Sequence, residues 1–319
     1  MPFTLSHAAA VLPGIRRAGT GRGPFLASAL VAGSFAPDLT YYAASVVPGG
    51  MAFGDLTHSL AGIVTVDVLF TAALVGLWLL VREPVTALLP RTWQPRVYGL
   101  LRGERWTAVS PALAGKFVLS AVAGALTHVV WDLFTHPGRL GTELLPVLGR
   151  SFGGLPLYTW AQYGTSALAA VGVGWFLVTA LRQQQGDTEL TGVPRLDTRR
   201  RTAGLCVLLG CAVLGAVLRC LRWAAHQSVP LRPIDYVPTV CFGAGAGLLV
   251  GLVLYAALAR RWRGTPATAP GAAAPDSATP AVPVPDNTAA GAPAPDTHEA
   301  ADVPALDDMA RARPRTRSH

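Results

Sequence analysis

Long apolar runs dominate the pattern of the chain. Five of them reach the roughly 20 residues that a helix needs to cross a bilayer. They cover approximately residues 58–81, 111–134, 160–181, 204–223 and 237–259. The pattern therefore predicts an all-α fold, a polytopic membrane helix bundle with about five transmembrane helices.

Two shorter apolar pieces precede these runs, at residues 4–15 and 24–36. Each would be about 20 Å long as a helix, which is too short to cross a hydrocarbon core of about 30 Å. We expect them to form a short N-terminal helical hairpin that packs into the bundle. Pro13 and Gly14 are expected to end its first arm.

The composition changes at Gly264, after which Pro, Ala, Thr and Asp prevail. Such a segment buries too little apolar surface to offset the entropy of ordering. We therefore predict an integral membrane helical domain over residues 1–263 and a disordered Pro/Ala-rich tail over residues 264–319. The arginines near the end of the tail leave open a contact with a membrane surface or a protein partner.

Composition and charge agree with a membrane protein. Of 319 residues, 51% are hydrophobic and 14% are charged, and the net charge of +8 comes almost wholly from arginine. Arginine clusters between apolar runs are typical of cytoplasmic loops, so we expect membrane lipid as a partner and no nucleic acid.

The arginine clusters also predict an orientation in the cell membrane. Residues 82–105, 195–201 and 260–263 carry most of them, which places these connections and the C-terminus in the cytoplasm. Residues 135–159 and 224–236 then lie outside. Arg219 and Arg222, at the outer end of the fourth run, are exceptions to this scheme.

Histidine and aspartate residues stand at the predicted outer ends of the runs. His128 and Asp132 are one helical turn apart on one face, about 6 Å along the axis. His58 begins the first run and meets them at the same membrane face. The hairpin brings His7 and Asp38 there as well. We therefore predict a site of His7, Asp38, His58, His128 and Asp132 at the extracytoplasmic face.

These five side chains suit a divalent metal ion. Imidazole nitrogens and carboxylate oxygens bind zinc above all, and also iron, manganese or nickel. A metal-bound water loses a proton near neutral pH and can attack an ester or phosphoester. The alternative is a non-enzymatic structural or transport protein in which the same residues form a buried polar network.

Two further positions carry expectations of their own. His136 precedes Pro137, which disfavours a helix there, so we expect its side chain to turn away into the loop. Asp67 lies nine residues beyond His58 and should sit deeper in the first span, on its opposite face. We predict that Asp67 pairs with Lys116 of the second span.

Four short motifs in this order resemble an uncharacterised bacterial family of multi-span membrane proteins, a domain of unknown function. They are Met1-Pro2-Phe3-Thr4-Leu5-Ser6-His7, Gly33-Ser34-Phe35-Ala36-Pro37-Asp38, Thr57-His58-Ser59-Leu60 and Leu126-Thr127-His128-Val129-Val130-Trp131-Asp132. Their order is also similar to that of inner-membrane metal-dependent hydrolases of the zinc-dependent phospholipase C-like type.

The resemblance covers roughly residues 1 to 260. It implies that the metal ligands are the same five residues that the topology brings together. It also implies a membrane-embedded, metal-dependent hydrolase that acts on a lipid-like or phosphoester substrate.

Overall fold

The computed structural model describes residues 3–104, 106, 110–226 and 232–263. The predicted tail, residues 264–319, lies outside this part of the chain. The α-helices are α1 (Ala8–Val11), α2 (Ala27–Gly33), α3 (Leu39–Ala43), α4 (Gly54–Thr57), α5 (Leu60–Val64), α6 (Val66–Leu88), α7 (Gln94–Arg102), α8 (Pro111–Thr135), α9 (Leu140–Leu144), α10 (Leu157–Gln183), α11 (Thr198–Ala225) and α12 (Tyr236–Arg263). Short 3-10 helices cover Thr4–His7, Leu12–Gly14, Ala36–Asp38, Gly50–Phe53, Pro146–Gly149 and Pro233–Asp235. Two-residue strands β1 (Ser151–Phe152) and β2 (Leu155–Pro156) form an antiparallel pair.

Five helices of the described ranges are long and apolar enough to cross a membrane, namely α6, α8, α10, α11 and α12. This finding confirms the predicted polytopic helix bundle. Large apolar side chains of these helices remain uncovered by protein, as in α10, where Leu168, Val171 and Trp175 are exposed. Contiguous apolar surface of this kind suits contact with lipid rather than with water.

The first span begins at Val66, so the predicted start at His58 is wrong. The Ser59 side chain accepts a hydrogen bond from the Gly62 N–H and starts the separate helix α5. Gly62 passes so close to Leu56 that a Cβ atom there would lie 1.9 Å from the Leu56 carbonyl oxygen. A second break follows at Thr65, whose φ is −124° and ψ −83°. His58 therefore lies in a turn between two short helices.

The predicted pairing of Asp67 with Lys116 is also wrong. Asp67 is fully buried, whereas Lys116 is exposed, and no ion pair joins them in the described chain. Because α6 starts at Val66, Asp67 occupies the first helical turn instead of a position deep in the span. The dipole of a helix favours a carboxylate in its first turn, but neither Asp67 carboxylate oxygen has a hydrogen-bond partner among the described residues.

The N-terminal segment is a helical hairpin, as predicted. Its first arm combines α1 with the 3-10 turns on either side and ends at Gly14. An isolated bridge between Ile15 and Gly21 closes the connection. The second arm is α2, which continues through the 3-10 turn Ala36–Asp38 into α3.

Glycines allow α2 of the hairpin to lie directly against α8. A Cβ atom at Gly33 would stand 2.5 Å from the Ala121 carbonyl oxygen. One at Gly124 would stand 2.4 Å from the Leu30 carbonyl oxygen. The two backbones touch because neither position carries a side chain, and this contact places residues 34–38 beside the C-terminal half of α8.

Gly124→Ala should therefore destabilise the fold, because the added methyl group must force α2 away from α8. We expect a loss of about 1–3 kcal/mol of unfolding free energy, as for other overpacked sites. Gly115→Ala is the matched control on the same helix, since open space surrounds Gly115. Thermal unfolding in detergent compares the two variants, and equal melting temperatures would contradict this account of the contact.

Candidate metal centre

The structure brings all five predicted residues together at one end of the bundle. His7 and Asp38 come from 3-10 turns of the hairpin, and His58 from the turn after α4. His128 and Asp132 come from the last two turns of α8. Of the five side chains, none is more than 6% exposed. Buried groups of this charge and polarity need hydrogen-bond partners or opposite charges, because apolar surroundings solvate them poorly.

Asp38, His58, His128 and Asp132 each direct one potential ligand atom to a common point. These four atoms lie within 4.8 Å of one another. His128 Nε2 is 3.4 Å from Asp38 Oδ1 and 3.5 Å from Asp132 Oδ2. His58 Nε2 is 3.9 Å and 3.7 Å from the same two oxygens. Ligand bonds of about 2.0–2.1 Å in a tetrahedron separate neighbouring ligands by about 3.3–3.5 Å, so the set is close to the size of a zinc site.

Backbone carbonyls orient both imidazoles of this set. His128 Nδ1 lies 2.8 Å from the Ser34 carbonyl oxygen, and His58 Nδ1 lies 2.9 Å from that of Gly54. A carbonyl oxygen only accepts, so each Nδ1 carries the hydrogen and donates it. In the neutral imidazole, Nε2 then presents its lone pair to the two carboxylates. Metal-bound histidines in proteins are held by hydrogen bonds of this kind.

This arrangement could hold a metal cation. With both imidazoles neutral, two Nε2 lone pairs and two carboxylate oxygens face one another, and all four are electron donors. A protonated histidine is the other way to balance them, but its N–H···O bonds to a carboxylate would be about 2.7–2.9 Å long. The observed separations of 3.4–3.9 Å are longer than such bonds.

Hydroxyl groups hold the outer oxygens of the two carboxylates. Thr4 Oγ1 donates to Asp38 Oδ2 at 2.5 Å. Thr135 Oγ1 lies 3.4 Å from Asp132 Oδ1. Each aspartate thus keeps Oδ1 or Oδ2 for the centre while its other oxygen faces a neighbour. Thr4 and His7 belong to the same 3-10 turn, so this N-terminal turn contacts the centre through two side chains.

His7 lies against the centre without belonging to the group of four. Its ring stacks on His128, with the centroids 3.6 Å apart and the planes 15° from parallel. Its Nε2 lies 3.6 Å from Asp132 Oδ1, the oxygen on the opposite side from His58 and His128. Burial lowers the pKa of His7 well below its ordinary value, which favours the neutral ring.

His136 also reaches the centre, so the expectation that it turns away is wrong. The helix does end at Thr135, and the His136 backbone is extended, as Pro137 requires. The ring nevertheless returns, with Nδ1 3.6 Å from Asp132 Oδ2, while Nε2 accepts from the Gln162 amide at 3.1 Å. Burial lowers the pKa of His136 to about 4. The spacing of four residues between Asp132 and His136 indicates that the two side chains lie on the same side of the chain, although Pro137 ends the helix.

Arg219 and Arg222, the exceptions to the charge pattern, have partners near the centre. Arg219 Nη1 donates to the Tyr41 carbonyl at 2.7 Å and to Ser45 Oγ at 2.6 Å. Arg222 Nη1 donates to the Ser45 carbonyl at 2.7 Å. These bonds satisfy carbonyl groups at the end of α3, which follows directly on Asp38. The two arginines therefore have a structural reason to lie at this end of the bundle.

One comparison with known proteins gives a match. The sequence model of a family described as a domain of unknown function (DUF4184) matches residues 1–257. No curated protein and no solved structure matches the chain. The match covers the hairpin, the first four spans, most of α12 and all of the residues of the centre. It confirms the predicted uncharacterised family, and the likeness to metal-dependent hydrolases stays a prediction.

Thr4→Val should weaken metal binding, because it removes the hydroxyl that holds Asp38. Loss of such an outer partner typically costs about 10- to 100-fold in metal affinity. Thr4→Ser keeps the donor and should retain most of the affinity. Competition with a chromophoric zinc chelator measures both. Equal affinities of Thr4→Val and the wild type would show that the hydroxyl does not position Asp38.

Proposed function

Since the chain belongs to this family of unknown function, its own chemistry must indicate its activity, and we propose that it is an integral membrane metal-dependent hydrolase. The metal is a divalent ion, with zinc the best fit to two imidazoles and two carboxylates. Asp38, His58, His128 and Asp132 hold it, with His7 and His136 against Asp132. The substrate is a lipid-like molecule or a phosphoester.

The spacing of the four ligand atoms carries this proposal. They are all electron donors, they lie within 4.8 Å of one another, and they converge from the hairpin, the turn after α4 and α8. Segments so distant in sequence bring these atoms together at considerable desolvation cost. Binding of a cation is the interaction that offsets this cost most directly.

A bound metal of this type supplies a hydroxide-like nucleophile near neutral pH. Water reaches the centre most easily past His136, whose side chain is 28% exposed, whereas that of Asp132 beside it is 6% exposed. The remaining ligands are enclosed by protein. Asp132 therefore marks the side on which water would enter.

The purely structural alternative requires a different geometry. A polar network that only holds helices together should be closed by direct hydrogen bonds among its members. The Nε2 atoms of His58 and His128 instead stand 3.4–3.9 Å from both carboxylates. This geometry favours an ion over a closed network.

We further propose that the centre faces the extracytoplasmic side of the cell membrane. It lies at the end of the bundle where α6 begins and α8 ends. The arginine-rich connection after α6 and the arginines that end α12 lie at the other end of their helices, and basic residues favour the cytoplasm. The bonds of Arg219 and Arg222 to residues 41 and 45 remove the main objection to this orientation.

Hydrolysis of a phosphodiester by detergent-solubilised protein tests the activity. We expect zinc-dependent release of product from a chromogenic phosphodiester or a phospholipid, abolished by chelation and restored by zinc. Asp132→Asn should reduce the rate to background, because an amide is a poor metal ligand. Asp55→Asn is the matched control, since the Asp55 carboxylate is 90% exposed at the same end of the bundle.

Failure of the zinc-loaded wild type on every ester and phosphoester offered would contradict the proposed hydrolase. Equal rates for Asp132→Asn and Asp55→Asn would locate the activity outside this centre.

A further inference from the structure

An apolar cavity of about 320 Å³ adjoins the metal centre. Residues of α3, α4 and α6 and of the connection between α3 and α4 enclose it. They are Leu39, Thr40, Ala43, Val47, Gly50, Phe53, Leu56, Thr57, Val66 and Phe70. Its volume lies within the range of small-molecule pockets, and a cavity lined this way takes apolar ligands rather than water.

The cavity and the centre share their walls. Leu39 and Thr40 follow Asp38 directly, and Thr57 precedes His58. The Thr57 hydroxyl donates to the Pro37 carbonyl at 2.8 Å, which ties the two walls together next to the centre. The cavity therefore lies beside the two segments that carry Asp38 and His58.

The outer rim of the cavity suits lipid. Val47, Phe53 and Leu56 line it and are exposed, and the neighbouring Val46 and Met51 are exposed as well. None of these residues belongs to a spanning helix, so their exposure is not explained by the spans. An exposed apolar segment at the end of a membrane bundle lies in the interfacial layer, where acyl chains can enter the cavity from the side.

The cavity is lined by apolar surface. Thr40 belongs to its wall, but the Thr40 Oγ1 atom is buried and is not presented to the cavity. The cavity therefore suits the hydrocarbon part of a molecule rather than its polar part.

We propose that the cavity binds one acyl chain of a membrane lipid, whose polar headgroup lies toward Asp38 and His58. This inference deepens the proposed hydrolase, and it rests on the proposed function where it calls the lipid a substrate. It names the substrate class as a membrane lipid instead of a soluble phosphoester.

Photolabelling of the full chain tests the cavity without the metal. The protein is placed in phosphatidylcholine nanodiscs that contain phosphatidylcholine with a diazirine on one acyl chain, and labelled peptides are quantified relative to those of α10. We expect labelling at Val47, Phe53 and Phe70. Ala43→Trp should reduce it to the level of α10, because the indole fills the cavity from an exposed position.

Ala52→Trp is the matched control, because Ala52 is exposed in the same segment and does not line the cavity. Labelling that is equal in the wild type and Ala43→Trp would overturn the proposal. Benzoylphenylalanine in place of Leu56 identifies the occupant independently. Its cross-linking to a second copy of the chain instead of lipid would also overturn it.

Because the labelling uses metal-free protein, its failure is distinguishable from a failure of hydrolysis.

Discussion

The burial of carboxylates among imidazoles at one end of an apolar bundle is the constraint on which the rest of the structure depends. Asp38 is fully buried and Asp132 nearly so, and apolar surroundings do not stabilise their charges. The Nε2 atoms that face them belong to rings whose Nδ1 hydrogens are already donated to Ser34 and Gly54. A metal ion held by these four atoms is the proposed source of balancing positive charge.

The N-terminal hairpin contributes several groups to this centre. It supplies Asp38, the Ser34 carbonyl that orients His128, and the Thr4 hydroxyl on Asp38. Because α2 is too short to span the membrane, its position depends on α8, and contact through Gly33 and Gly124 fixes it there. The contact that joins α2 to α8 therefore also sets the positions of Asp38 and His128.

The sequence predicts the spans and the members of the centre better than the local turns. Apolar length alone locates α8, and the spacing of His128 and Asp132 holds because both lie in one uninterrupted helix. The positions of His58 and Asp67 differ from the predicted ones. The apolar run that contains them is continuous in sequence, but the capping hydroxyl of Ser59 and the close approach at Gly62 break the helix. The predicted direction of the His136 side chain is wrong, because Pro137 constrains the backbone of His136 and not the direction of its ring. The Thr4 bond and the Gly33 contact join distant segments, so no local pattern reveals them.

Metal content tests the central claim most directly. Elemental mass spectrometry is carried out on detergent-purified protein prepared without chelator and reloaded with zinc. The wild type is compared with the double variant His128→Ala, Asp132→Ala and with His226→Ala, which changes an exposed histidine. The account predicts near-stoichiometric zinc or another divalent transition metal in the wild type and His226→Ala, and its loss in the double variant. Absence of metal from all three after reloading, or its retention in the double variant, would contradict it.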